Sequence, residues 1–337
     1  MKYRIILFCF ILLVAGCLPV PQGIDPDVDL TPPALEKVVV SDNRSVTLYF
    51  DEGVMLAEEE IITEPSLSVA STSSTDNTVT VQFHNELQPG KEYIIRAEAR
   101  DRKENSMFLI TRFYGYNGSI PGLMINEFTT RGSETHPDCV EIKILQEGNL
   151  AGICFFHGTK TLFKYRFVFP ACEVKPGDYI LLHTKPVGTP DEINETNDKT
   201  VSEGLDASST AFDFWIPKGS GLSGNNGTIT LYNQPFGTIL DAVLYTNRTS
   251  ASDTDYMGFG SRTVMEQAIE LEQDGGWKIT GLSVAPEDAV FIEESTATRS
   301  VCRMSAGVDT DSKADWHIVP TKGYTFGTQN SDENHVP

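Results

Sequence analysis

The chain of 337 residues carries 47 Asp and Glu against 26 Lys and Arg, a formal charge of −21 at pH 7, with 40% hydrophobic and 9% aromatic residues. A field of that sign repels phosphate, and nucleic-acid affinity rests on neutralising phosphates with Lys and Arg, so nucleic-acid binding is disfavoured as a main role. The length exceeds one typical domain and predicts two.

Lys2 and Arg4 precede an unbroken apolar run, residues 5–15 (IILFCFILLVA). This is the charged region and apolar region of an export signal, too short to span a bilayer as a helix. The run closes in Leu13-Val14-Ala15-Gly16-Cys17, which resembles the lipobox of bacterial lipoproteins. That resemblance implies a signal peptide over 1–16 and a lipid-bearing Cys17, acylated with chains such as palmitate. Each buried methylene contributes about 0.8 kcal/mol, so two or more chains hold a protein at a membrane of the cell envelope. Residues 17–32 are rich in Pro and Asp without periodicity and predict an extended tether.

Of six cysteines, Cys9 leaves with the signal and Cys17 takes lipid, leaving Cys139, Cys154, Cys172 and Cys302. An even number in an exported chain permits two disulfides; three pairings are open, and Cys139 with Cys154 would close the shortest loop. The long spacings and the lack of a CxxC pair argue against zinc.

From 33 to 117 the chain reads as short alternating segments, LEKVVV, SVTLYF, LSVAS, TVTVQF, KEYIIRAEA and FLITRFYGY, separated by turn clusters. Apolar residues two apart on β-branched and aromatic runs predict a sandwich of about seven strands, with one helical turn near Leu56 to Ile62. Leu87-Gln88-Pro89-Gly90 leading into Lys91-Glu92-Tyr93 resembles the bacterial immunoglobulin-like modules of surface proteins, as do Asp51 to Val54 and the polar turn Asp101 to Asn105. The resemblance implies a β-sandwich with Tyr93 at its corner, a fold that hosts many roles.

A Gly/Pro-marked junction at 116–122 opens a second domain, 118–330, followed by a flexible tail at 331–337. Its segments run LMINEF (123–128), CVEIKI (139–144), YRFVFP (165–170), the stretch from Val174 to Leu182, GTITLY (227–232) and LDAVLY (240–245), closing in TRSVCR (298–303), Ala314-Asp315-Trp316 and 323–330. The order resembles a lamin-tail domain, which implies a second immunoglobulin-like sandwich. Insertions fall near 187–221 and 250–296, and within the second Thr263 to Asp274 spaces Val264, Ala268 and Leu271 as an amphipathic helix packed on the sandwich end. The expected class is therefore all-β, two sandwiches in series with one short inserted helix.

Chemistry-bearing residues are few. Glu127 and Glu141 fall in neighbouring predicted strands and raise the paired carboxylates of a glycosidase, although edge-satisfying carboxylates are the plainer reading. Asp309, Asp311 and Asp315 (DTDSKAD) offer alternate oxygen ligands suited to calcium, against a turn or helix cap. Asp213 and Asp241 would join them only through folding. His84, His136, His157, His183, His317 and His335 form no metal motif, and no nucleophile elbow or phosphate loop occurs. Trp215, Trp277, Trp316, Tyr232 and Tyr245 would offer carbohydrate-stacking faces if exposed, Trp215 in FDFWIPKGSG of the first insertion being best placed for it, while core or edge packing is the default for each. The expectation is a membrane-anchored, non-catalytic binding module without a cofactor, contacting a protein or glycan partner. An envelope scaffold and the accessory part of an exported hydrolase are its rivals.

Overall fold

The computed structural model describes residues 29–305 and 309–337; the expected signal, Cys17 and most of the tether lie outside the described residues. In the first body, strands β1 (Leu35–Val39), β2 (Ser45–Phe50), β3 (Val54–Leu56), β4 (Ile62–Glu64), β5 (Val69–Thr75), β6 (Thr78–Phe83), β7 (Glu92–Asp101) and β8 (Ser106–Tyr114) make two sheets. One runs β1-β2-β6-β5; in the other β7 pairs β8 on one side and both β3 and β4 on the other.

Strict alternation drives this pairing. Val46, Leu48 and Phe50 of β2, Val79, Val81 and Phe83 of β6, and Tyr93, Ile95, Ala97 and Ala99 of β7 all face one core, because a strand's side chains alternate with period two. A 3-10 turn, Glu58–Glu60, falls where LAEEEII predicted one helical turn. The Tyr93 hydroxyl accepts the Gln88 backbone N–H at 3.0 Å while its ring stacks on Phe113 at 5.3 Å, so the tyrosine does close the sandwich corner.

The second body is larger. It contains β9 (Leu123–Phe128), β10 (Cys139–Ile144), β11 (Gly148–Asn149), β12 (Cys154–Gly158), β13 (Phe163–Val168), β14 (Glu173–Val174), β15 (Tyr179–His183), β16 (Phe212–Trp215), β17 (Asn226–Tyr232), β18 (Ile239–Thr246), helix α1 (Arg262–Gln273), β19 (Val290–Phe291), β20 (Val301–Arg303) and β21 (Trp316–Ile318). A six-stranded sheet, β16-β15-β10-β9-β20-β21, faces a five-stranded sheet, β13-β12-β17-β18-β19, and β11 pairs β14 apart from both. Ile125, Phe128, Val140, Ile142, Phe155, Ile229, Leu231, Val243 and Tyr245 fill the space between.

Both insertions add strands as well as loops: β16 pairs β15 in parallel, and β19 pairs β18 in parallel. Helix α1 begins where Ser261 accepts the Val264 N–H and buries Ala268 and Leu271 in the core, the stripe its spacing predicted. Gln267 donates to the Leu162 carbonyl at 2.8 Å, which fixes the helix against the β12–β13 turn. The two bodies touch at Gly90 and Gly152, both with positive φ. A Cβ added at Gly90 would lie 2.2 Å from the Gly152 nitrogen, so only glycine allows this approach. Asn117 locks the junction by donating to the Asn149 and Ala151 carbonyls at 2.7 and 2.8 Å.

Candidate functional site

Glu127 and Glu141 are register partners on β9 and β10, and both are fully buried. The pairing register slips next to them, so Asn126 is an extra residue in β9 and its side chain reaches the same face. Glu127 accepts the Ser300 hydroxyl, the Thr325 hydroxyl at 2.6 Å and the Thr325 N–H at 2.9 Å. Glu141 accepts the Asn126 amide at 2.6 Å and the Gly327 N–H. Asn330 completes the lock, donating to the Arg303 carbonyl at 2.8 Å and accepting from Asn126 at 2.6 Å. Burial pushes both carboxyls above the usual range, and the neighbouring Glu127 pushes Glu141 further. Sequence placed this pair correctly in adjacent strands; the fold spends it on holding the C-terminal segment over the sheet, with no lone pair facing solvent.

The three aspartates proposed for calcium do not form one ligand set. Carboxylate oxygens of Asp309 and Asp311 gather within 4.8 Å of Asp241 instead, while Asp315 accepts the Thr310 N–H and hydroxyl at 2.8 and 2.6 Å and closes a short capped turn. The chain supplies its own cation here. Buried Arg303 donates to Asp309 at 2.8 Å, Asp315 at 3.1 Å, Asp241 at 3.2 Å and the Ile125 carbonyl at 2.6 Å, and its guanidinium lies 4.6 Å over the Trp316 ring. Desolvation still raises Asp241 to about 7 against the pull of Arg303. A lone arginine inside the apolar strand SVCR was the signal that sequence reading passed over.

The expected disulfides do not form: Cys139, Cys154, Cys172 and Cys302 are buried free thiols. They occupy separate settings, Cys139 beside Leu181 and Ala211, Cys154 beside Phe156 and Tyr232, Cys172 in the main core, and Cys302 at 3.8 Å from the Thr325 hydroxyl. Trp215 is not a surface platform either. It is buried, stacked on His183 at 3.7 Å with its indole N–H on Ser202 at 3.0 Å, because β16 carries it into the six-stranded sheet.

Of the concavities among the described residues, two concern these chemistry-bearing side chains and the junction of the bodies. The first, about 200 Å3, is walled by Cys139, Leu181 and His183, roofed by Tyr324 and Phe326, and has His136 paired to Asp206 at 3.0 Å among its lining residues. Cys139 lies directly across from His183, whose Nε2 meets Asp213 at 2.7 Å. The order suggests a nucleophile, base and orienting acid, yet burial and the nearby Asp213 and Glu141 push the thiol well above its ordinary value. A thiol held protonated is a poor nucleophile. The second, about 620 Å3, is a cleft between the bodies, bounded by β1, by Arg112 and Tyr114 at the end of β8, and by the turn 233–238 that joins β17 to β18. Nothing in the sequence announced it, since its walls come from three distant segments.

A family model described as TP_1001 second domain matches residues 121–318, and a model described as bacterial Ig-like domain matches residues 23–114. An uncharacterized protein of Treponema pallidum (strain Nichols) is 28% identical over 167 residues, which is 50% of this chain and 42% of that protein. The chain thus spans less than half the length of that curated relative. Among solved structures, a DUF4876 family protein from Bacteroides thetaiotaomicron VPI-5482 matches 85% of this chain and 91% of its own at 13% identity and a TM-score of 0.29. The N-terminal part of the bacterial S-layer protein SbsC matches 64% of this chain and 43% of its own at 14% identity and a TM-score of 0.25.

Proposed function

Because the chain belongs over residues 121–318 to the TP_1001 second-domain family and carries a bacterial Ig-like domain ahead of it, we propose that it is an exported envelope protein. In this reading lipid on Cys17 fixes it to a membrane, and its sandwiches present a binding surface to a protein or glycan without performing bond chemistry. Kinship of the second domain with lamin-tail domains belongs to the same reading and rests on strand order.

One observation carries the proposal. The groups best suited to acid, base or thiolate chemistry, Glu127, Glu141 and Cys139, are buried, and the two carboxylates are committed to holding the C-terminal segment. The concave surfaces left open are lined by groups suited to contact. The test is to replace Cys17 with Ser and fractionate cells: the variant is expected to leave the membrane fraction, and unchanged membrane retention overturns the anchor. Turnover of hydrolase substrates by the purified protein overturns the non-catalytic part.

A further inference from the structure

The turn between β17 and β18 holds a residue its geometry disfavours. The Gly237 N–H bonds the Gln234 carbonyl at 2.9 Å, with Pro235 second and Phe236 third in the turn. Phe236 has φ of 61°, a place that ordinarily falls to glycine or asparagine because a side chain there crowds its own backbone. Of the eight non-glycine residues with positive φ among the described residues, Phe236 alone is aromatic. It is also 58% exposed, while its neighbour Pro235 is buried and anchors the turn. Burial therefore does not repay the strain. The Arg166 guanidinium, 6.0 Å from the ring, sits at the limit of a cation–π interaction. Strain that packing does not explain concentrates where a side chain must be presented to a ligand.

Phe236 lines the 620 Å3 cleft. Around it the side chains of Gln234 and Thr238 make no hydrogen bond among the described residues, while Asn233 spends its oxygen on the Thr238 N–H at 2.8 Å. Charge in the cleft runs against that of the chain. Lys37 and Arg112 line it against Glu36, and just outside the lining Glu92 is shared by Arg112 and Arg166 at 3.6 and 3.9 Å. The local balance is slightly positive on a protein of net −21. A flat aromatic face, a free carboxamide, a free hydroxyl and a surplus cation match the chemistry of a sugar ring, which offers an apolar C–H face, a rim of hydroxyls and, in acidic sugars, a carboxylate.

We infer that the cleft between the two sandwiches binds an oligosaccharide carrying a carboxylate, with the ring of Phe236 as its stacking platform and Lys37 and Arg112 drawing in the acid. The inference deepens the proposed binding role and rests on it.

The test presents the purified full-length chain with an array of uronate-, sialate- and muramate-containing oligosaccharides, each beside its neutral counterpart, and with a random peptide library. At least one acidic saccharide should be retained tenfold or more above its neutral partner. Phe236→Gly should lose that retention while raising the melting midpoint, since glycine relieves the turn; Lys37→Gln should weaken the acidic ligand and leave neutral sugars unchanged. Retention of no acidic saccharide, equal retention of neutral ones, peptide binding in their place, or full binding by Phe236→Gly each overturns the inference. None of these results touches the Cys17 experiment, so failure here and failure of the anchored-module reading are separable.

Discussion

The buried carboxylates of Glu127 and Glu141 face each other across β9 and β10 and divide the C-terminal segment between them, Glu127 taking Thr325 and Glu141 taking Gly327. Both carboxyls are raised by burial, so their protonated forms are favoured in the folded protein. The stability they contribute is fully present below the ordinary value of 4.5 and is lost as pH rises through their raised values. Thermal midpoints measured from pH 4.5 upward should fall, and Glu141→Gln should flatten that fall. At neutral pH Glu141→Ala should cost about 2–3 kcal/mol, because it strands the Gly327 N–H and the Asn126 amide.

His157 acts in the opposite direction. Burial lowers it from 6.5 to about 4, so the neutral ring is the folded form. Its contribution is present above pH 6.5 and disappears as pH falls towards 4. His157→Phe should remove that acid-side loss, as read from urea midpoints at pH 7 and 5; an unchanged dependence on pH would show that the imidazole does not titrate with folding.

The buried Arg303 is the shared ion-pair partner of buried Asp241 and Asp315 and of part-exposed Asp309. Arg303→Met leaves those carboxylates without a counterion and should cost about 3–5 kcal/mol by urea unfolding. Because the guanidinium already occupies the cluster, millimolar calcium should leave the melting midpoint of the unaltered protein where it was. A calcium-dependent rise would restore the metal reading of Asp309 and Asp311.

The four described thiols should resist alkylation at pH 8 in the folded state, because burial raises Cys154 and Cys172 to about 12 and pushes Cys139 and Cys302 up from the ordinary thiol value as well. Peptide mapping after iodoacetamide should find label at these positions only once denaturant is added. Cross-linked cysteine peptides under non-reducing conditions would contradict the free thiols.

Trp215→Ala should lose about 3–5 kcal/mol through the cavity left beside His183, and it should leave saccharide retention unaltered. Phe236→Gly should do the reverse. The pair separates an aromatic that packs from an aromatic that is displayed.

Much of the architecture could be read from local pattern alone. Period-two alternation in SVTLYF and TVTVQF, the Leu87–Gly90 turn ahead of Tyr93, and the helical spacing of Val264, Ala268 and Leu271 are short-range signals, because pleat and helix repeat within a few residues. The destination of the polar residues was not local. Glu127 meets Ser300 across 173 residues of chain and Asn126 meets Asn330 across 204, so a carboxylate that sequence leaves open to acid–base work becomes, once the C-terminal segment folds over it, a fastening. The same holds for Trp215, which a parallel strand pairing turned inward, and for the cysteines, which packing kept apart. The cleft arises where three segments far apart in sequence meet, and only the tertiary structure placed Phe236 beside it. Alternation determined which residues face a core; long-range burial and pairing determined which polar groups remained free to meet a ligand.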